Sequence, residues 1–540
     1  MTAKAARIAK YVQLPWLRGV NLDLDDGIMQ LIGKGDYLVT GINCIFDVDG
    51  SKTKREGFSY FDSAAITGTP EIKGGFDYWA NVSSVKTQKV VVWDGQATSK
   101  CWFEAAGGGA WTELTKAAAA TAPTSVKSIS FEVFNDDLVM AFTCANNTGP
   151  KKWNNQTGTE YAELGGSPPA VKFIRTHQGR LWGAGVPSNP DRLYFSSPGN
   201  HEEWNGAGDS GAIDIDPGDG DHSGITAIFP SFKGQLIVAK GSRLYRIEGV
   251  TPEEYRVVPI SKGIGCVAHN AVVAVDLDDI YFMSHRGVHS LQVTEKYGDF
   301  EAMFLTTDIQ SEFNAFDKTL LPYSQGVWIP ALNSMAFAVS RNGTRLDVIW
   351  LYDMRFKAWY KWLITTNYPT ALFRVMDSTA KRFKAYIGNN VGRLSYTENG
   401  SRSDYTSVAI PLTLKTPRIY PDRDPSTIKG FKKLGVWVEM ETDVDLDVDV
   451  LIIGQSTAQE LTFTSDSEGT ALLDIDFTLG VNVLNATSNI SMTPLQLPID
   501  GYSTSVQLTF TQSTAGKNVK IYGFWIEWEP AGDSQETIGY

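Results

Sequence analysis

The 540-residue chain has no run of apolar residues near the eighteen or so that a membrane-crossing helix needs, so no membrane-spanning segment is expected. Its opening stretch, MTAKAARIAKYVQLPWL, is basic but lacks the apolar core of a secretory signal. Cysteine is scarce. Cys44, Cys101, Cys144 and Cys266 are scattered and form no C-x-x-C pair, which fits synthesis in a reducing cytoplasm. With no secretory signal, the Asn-x-Ser/Thr triplets at Asn81, Asn155 and Asn342 read as turn composition. Lys and Arg never run beyond two in a row and the formal net charge is −13, which argues against a protein that grips nucleic acid through its phosphates. An acidic surface has the opposite use: it keeps a polyanion from sticking. Helical periodicity is nearly missing; TELTKAAAA (112–120) and TDIQSEFNAF (307–316) are the best stretches, and both are short. Parallel α/β folds need a helix in each crossover and are disfavoured. No G-x-S-x-G elbow, Walker loop or strand-following G-x-G-x-x-G occurs, and Gly107–Gly109 reads as a flexible turn.

What is abundant is turn and strand material: 50 glycines, 15 tryptophans, 21 tyrosines and 26 phenylalanines, a balance that favours β-structure. Short apolar strands recur as VVVW (90–93), LVMAF (138–142), RLWGAG (180–185), QLIVAK (235–240), DIYFMS (279–284), MAFAVS (335–340) and KAYIG (384–388). From Val91 through Leu138, Leu181, Leu236, Ile280 and Ala336 to Ala385, the steps are 47, 43, 55, 44, 56 and 49 residues. One four-stranded propeller blade takes about 40–50 residues. Hairpin turns follow several of these strands, at Lys240–Gly241–Ser242, His285–Arg286–Gly287, Asn342–Gly343 and Asn389–Gly392. The expected fold is all-β: a six- or seven-bladed β-propeller over 61–400, which hides its strand edges by closing on itself. Residues 1–60 read as an N-terminal extended arm and entry strand, with a turn at Asp49–Gly50. Residues 401–540 read as a Pro/Ser/Thr-rich linker and a C-terminal β-sandwich, with strands in 435–453, 461–465, 471–479, 504–513 and 518–530. Within it Val444, Leu446, Val448 and Val450 point one way and Asp443, Asp445, Asp447 and Asp449 the other.

The candidate site is IDIDPGDGDHSGITAI (213–228), which puts Asp214, Asp216, Asp219 and Asp221 within eight positions. A helix–loop–helix calcium loop wants alternate carboxylates, a central Gly and a distal Glu. Here Pro217 interrupts and the Glu is missing, so a glycine-rich turn is the main reading and calcium the second; no other cofactor is expected. Catalytic carboxylates are a third reading, although four acids on one polar loop stay ionised and solvated. The Asp443–Asp449 row reads as a solvated strand face that resists edge pairing, rather than a metal ladder. The six histidines, His177, His201, His222, His269, His285 and His289, show no zinc-ligand spacing and read as turn and surface residues.

Several segments resemble the tail nozzle family of short-tailed bacteriophages, also called tail tubular protein B or packaged-DNA stabilisation protein. They are LYFSSPGNHEEWN (193–205), IDIDPGDGDHSGITAI, FKGQLIVAKGSRLYRIEG (232–249), ISKGIGCVAHNAVV (260–273) and IYFMSHRGVHSL (280–291). NCIFDVDGSKTKREG (43–57) resembles the family's opening, where an Asn and an Arg-x-Gly flank a turn. The resemblance implies a non-enzymatic structural protein of the virion tail: a propeller protomer in a homohexameric ring, below the adaptor ring on the portal. It implies contact with tail fibres or spikes, and a channel that retains packaged duplex DNA and conducts it during ejection without reading its sequence. The competing reading is a phage attachment propeller that binds a host glycan or receptor, with Trp102, Trp111, Trp204, Trp359 and Trp362 as stacking faces. A hydrolase on the same scaffold comes third, lacking a nucleophile–base signature.

Overall fold

The computed structural model describes residues 9–13, 18–105, 108–275, 279–293, 300–397, 400–405, 407–465, 489–490 and 495–533. Among these, the only α-helix is the short Gln310–Asn314, preceded by a 3-10 turn at Thr307–Ile309. The other short helical candidate is instead a strand, Thr112–Lys116. The chain forms two compact units. One comprises Tyr60–Trp350 and Ile364–Thr397; the other comprises Met1–Ser59, Leu351–Leu363 and Glu398–Tyr540.

The first unit is a β-propeller with seven blades among the described residues. Its inner strands are Ile72–Val82, Ser128–Phe134, Phe173–His177, Ile225–Ile228, Val273–Val275, Gln325–Ile329 and Pro369–Asp377. Each pairs antiparallel with the next strand in sequence. Those second strands hold the seven sequence markers, from Val91 in Val85–Asp94 to Ala385 in Arg382–Asn389. Four strands in sequence order complete each of the first five blades. The boundary between units falls inside Val348–Asp353, the strand that follows the sixth hairpin.

Closure of the ring fixes the count at seven. Residues 60–66 lie along the seventh blade: Phe61 N donates to Leu394 O (2.9 Å) and Ile66 N to Gly392 O (2.8 Å). The Asp62 carboxylate accepts from Leu394 N (2.9 Å), Trp111 Nε1 (3.0 Å) and Arg393 Nη1 (3.2 Å). First and last inner strands pack so closely that a Cβ on Gly75 would meet the Phe373 ring at 2.2 Å. The core consists of apolar layers between neighbouring blades. Val90, Val92 and Trp102 meet Ala371, Val375 and Tyr386 at the seam of the first and seventh blades, and Trp182 and Phe195 meet Ile228 and Val238 between the third and fourth.

The second unit is a two-sheet sandwich. In one sheet Thr427–Met440 pairs along its length with Val519–Asp533. Ala9–Gln13 and the hairpin of Cys44–Phe46 with Lys52–Lys54 add to the latter strand, so the N-terminal segment is built into this unit. The other sheet runs Ala358–Leu363, Thr40–Ile42, Leu412–Lys415, Val506–Gln512, Asp445–Ile452, Gln459–Thr464. Phe510 and Phe524, one from each sheet, meet at 6.1 Å. Val444, Leu446, Val448 and Val450 are buried while Asp445 and Asp447 are exposed, as the alternation predicts. The strand expected at 471–479 lies outside the described residues.

Candidate functional site

The aspartate loop connects the outer strand of the third blade, Gly211–Asp214, to the inner strand of the fourth, Ile225–Ile228. Its four carboxylates do not converge. Asp214 forms a two-point pair with Arg192, at 2.6 and 3.0 Å. Asp216 turns the chain at φ 38° and offers its carbonyl to Lys240 Nζ (3.2 Å), leaving its side chain exposed. Asp219 is the buried member. It faces Lys240 Nζ (3.1 Å) and Arg243 Nε (3.6 Å) and accepts from the Tyr245 hydroxyl. Burial alone would raise the Asp219 carboxyl, but the Tyr245, Asp221 N and Lys240 hydrogen bonds hold it below its ordinary value. Asp221 accepts from Ser242 N (2.7 Å) and Ser223 N (2.9 Å). Against the opposing effect of burial, bonds from Ser223 and Ser242 bring its carboxyl down to about 2.

This is turn chemistry locked by the protein's own cations. Lys240 has a fully buried side chain, and Asp191 of the third blade (2.8 Å) shares it with Asp219. The loop is therefore a strap between blades three and four. Among the described residues no group of three or more His, Cys, Asp or Glu is placed to hold a metal ion.

The segment 193–205 is a second strap, from blade three back to blade two. Glu202 pairs with Lys152 (3.1 Å) and accepts from Gly165 N (3.0 Å); His201 Nε2 lies 3.3 Å from Asp137. Asn135 Nδ2 donates to Gly199 O (2.9 Å). A third strap runs across the propeller axis. His269, on a 3-10 turn before the fifth inner strand, accepts at Nδ1 from Ile228 N (3.3 Å) and meets Ser130 Oγ at Nε2 (3.0 Å). Its neighbour Asn270 donates to Ser128 Oγ and Ile129 O, both at 3.1 Å. Burial, reinforced by Arg175, holds the imidazole well below its ordinary value, so it stays neutral with the proton on Nε2. The turn thus joins blades five, four and two. Beside this turn lie a cavity of about 190 Å³, lined by Arg175, Gly75, Phe131 and Gln325, and one of about 390 Å³, lined by Phe173, Ile225 and Tyr323.

In the sandwich unit the Asn and the Arg-x-Gly of 43–57 form one buried cluster. Arg55 donates to both oxygens of Asp404 (2.8 and 2.7 Å) and to Asn43 Oδ1 (3.2 Å). Asn43, at φ 54°, also accepts from Leu363 N (3.1 Å) and donates to Pro411 O (2.9 Å). Gly57 passes so close to Ser403 that a Cβ would meet its carbonyl oxygen at 1.9 Å.

No family model and no curated protein matches the sequence. Many solved structures share a similarity of shape, among them the following two. A streptogramin B lyase aligns with a TM-score of 0.40 and 11% identity, over 64% of this chain and 98% of that one. The N-terminal domain of Nup159 aligns at 0.38 and 9%, over 66% and 98%. At these values the likenesses bear on neither activity nor partners.

The remaining sequence candidates lie apart. Trp102, Trp204, Trp359 and Trp362 are buried, and Trp111 is half-buried with its Nε1 on Asp62, so the first four offer no open face for stacking. Four of the six histidines, His177, His201, His269 and His289, are buried, not on the surface as their turn-rich setting suggests. His289 bonds Ser284 Oγ (2.9 Å), and burial pushes it down to about 4. Asp447 accepts from Thr462 across the strand pair (2.8 Å) on a solvated face. Sequence reasoning missed the buried lysines. Lys52 and Lys54 are fully enclosed; burial brings them down to about 7 and about 8. The signal that could have found them is the K-x-K alternation in SKTKRE, which puts both on one strand face.

Proposed function

We propose that this chain is a structural, non-enzymatic protein of the virion tail: the nozzle of a short-tailed bacteriophage. In this reading it assembles as a homohexameric ring below the adaptor ring and contacts tail fibres or spikes. It retains packaged DNA and lets the duplex slide out during ejection. The observation that carries the reading is the use made of the resembling segments. Residues 43–57, 193–205, 213–249 and 260–273 supply ion pairs and hydrogen bonds that lock strands and neighbouring blades together. Such straps suit a part whose task is stiffness. The His269–Asn270 turn bonds blade five to blade two, so in this reading the conduit is enclosed by several copies, with acidic surface repelling phosphate. The attachment reading loses support from the burial of four of its five tryptophans. Electron microscopy of the purified chain, alone and with an adaptor ring, tests the proposal. Six-fold rings with a bore wide enough for duplex DNA are expected. A closed dimer without a bore, or a monomer that no adaptor organises into a ring, would overturn it.

A further inference from the structure

The first and seventh blades carry the longest inner hairpins of the propeller. Ile72–Val82 with Val85–Asp94, and Pro369–Asp377 with Arg382–Asn389, run well past the five- to seven-residue strands of the second and third blades. Between them lies a cleft of about 740 Å³. A half-buried network ties its two walls together. Asp77 accepts from Met376 N (2.8 Å) and Trp79 Nε1 (3.0 Å), and Gln88 Nε2 bridges Asp77 (2.7 Å) to Met376 O (2.8 Å). The walls are preorganised, and the one carboxylate in the lining is already engaged by three donors. Phe76, Phe373, Met376 and Phe383 make the lining apolar, and Phe383 is 38% exposed. Lys86, Arg374 and Lys381 supply positive charge; Lys86 lies 5.3 Å from the Trp79 ring and Arg374 5.1 Å from Phe383. A cationic, aromatic cleft on a chain of net charge −13 is a local reversal of sign.

We propose that this cleft docks an acidic polypeptide segment of a partner protein, one that carries aromatic or aliphatic side chains between its carboxylates. The apolar walls take the side chains, and Lys86 and Lys381 pair with the carboxylates through charge-assisted contacts. Nucleic acid fits less well, because it needs an extended basic track and the rest of the chain repels it. A saccharide fits less well, because the single carboxylate of the lining is already engaged by three donors and the remaining charged groups are cations, which suit an anionic partner. The site lies within one protomer, so its occupancy does not depend on ring formation.

Fluorescence anisotropy on the full chain at low salt tests this with a labelled twelve-residue peptide alternating Asp or Glu with Phe and Leu. The expected affinity is of the order of 10 µM, typical of a short-segment contact. The same peptide with Gln for every acid, and a K86E/K381E variant against the acidic peptide, should each bind more than about tenfold more weakly. F383A, which removes a half-exposed ring, should weaken binding by about threefold or more while leaving the melting temperature in place. Equal binding of the Gln peptide, or unchanged affinity in a K86E/K381E variant that melts normally, overturns the proposal. Tighter binding of a dT12 oligonucleotide or a uronic-acid hexasaccharide than of the peptide also overturns it, as does no binding at 1 mM peptide.

Discussion

Replacing Arg55 by methionine measures how much the sandwich unit depends on the Asn and Arg-x-Gly segment. The guanidinium is 1% exposed and holds both oxygens of Asp404, whose side chain is 6% exposed. It also lies 4.5 Å from the Phe58 ring. In Arg55→Met, Asp404 keeps only Phe58 N (3.0 Å) among the partners described here, and remains buried. A buried carboxylate stripped of its counter-ion costs about 3–5 kcal/mol. The lost cation–π contact adds about 1 kcal/mol, and the apolar methionine side chain returns roughly the same. The expected loss is therefore about 3–5 kcal/mol. A second substitution, Asp404→Asn, removes the stranded charge and should recover about half of it, because the remaining amide still has Phe58 N to pair with. Since the chain has two compact units, one global midpoint does not isolate the effect. Hydrogen exchange read on peptides covering 43–58 and 400–405, through a urea series, does. If Arg55→Met shifts the opening energy of those peptides by less than about 1 kcal/mol, or if the double variant opens no less easily than the single, the counter-ion argument is wrong.

Lys52 gives a pH signature. Its folded value is about 7 because of burial, whereas the unfolded chain keeps that proton to about pH 10.4. Between those values the unfolded state binds the extra proton, so stability should rise with pH by about 1.4 kcal/mol per unit more than in Lys52→Met. Below pH 7 the two slopes should coincide, and a flat difference between pH 7 and 9.5 refutes the assignment. His269 works at the acid end: neutral when folded, it should make stability fall as pH drops below about 6.5, where only the unfolded state takes the proton. A His269→Ala variant strands Ile228 N–H and should cost about 2–4 kcal/mol, read by thermal melting in the pH 7–8 range. In the aspartate loop, Asp219→Asn should cost about 2 kcal/mol, moderated by Asp191, which also pairs with Lys240, while Asp216→Asn should be close to neutral. EDTA or added Ca²⁺ should move the melting temperature by less than about 1 °C, since Arg192, Lys240 and Arg243 already serve the loop's charges. A calcium-dependent rise of several degrees would favour the calcium reading.

The repeat was legible because the second strand of a blade is buried on both faces. LVMAF, QLIVAK and DIYFMS stand out as short apolar runs for that reason, and every one sits in the strand position the period assigns it. The count of seven was not legible, because closure is made by backbone bonds from Phe61 and Ile66, which no side chain announces. Charge misled in one direction only. Lys52, Lys54, Lys151, Lys240 and Lys429 are all fully buried, each reached by carbonyl or carboxylate oxygens that lie far away in sequence or arrive through a turn. Composition sends lysine to the surface, and only the three-dimensional partner brings it in. In the aspartate loop, whose main reading is a glycine-rich turn, strand geometry aims Asp214, Asp219 and Asp221 at three different partners.

On the proposed nozzle reading, the straps bear on how a ring of these chains would keep its shape. Apolar layers between blades hold neighbouring blades together but resist sliding poorly, because burial is non-directional. A pair such as Asp219–Lys240, or the His269 bridge from blade five to blades two and four, fixes register as well as contact. In a ring whose bore must keep its width while a stiff polymer passes, register is the quantity that matters. This argument separates two kinds of substitution. Thinning an apolar seam, as in Val92→Ala between the first and seventh blades, should lower stability by about 2 kcal/mol and leave assembled rings round. Removing a strap, as in His269→Ala, should cost a similar amount yet broaden the distribution of ring shapes in electron micrographs. Equal shape distributions for the two variants at matched stability would mean that the straps contribute stability alone.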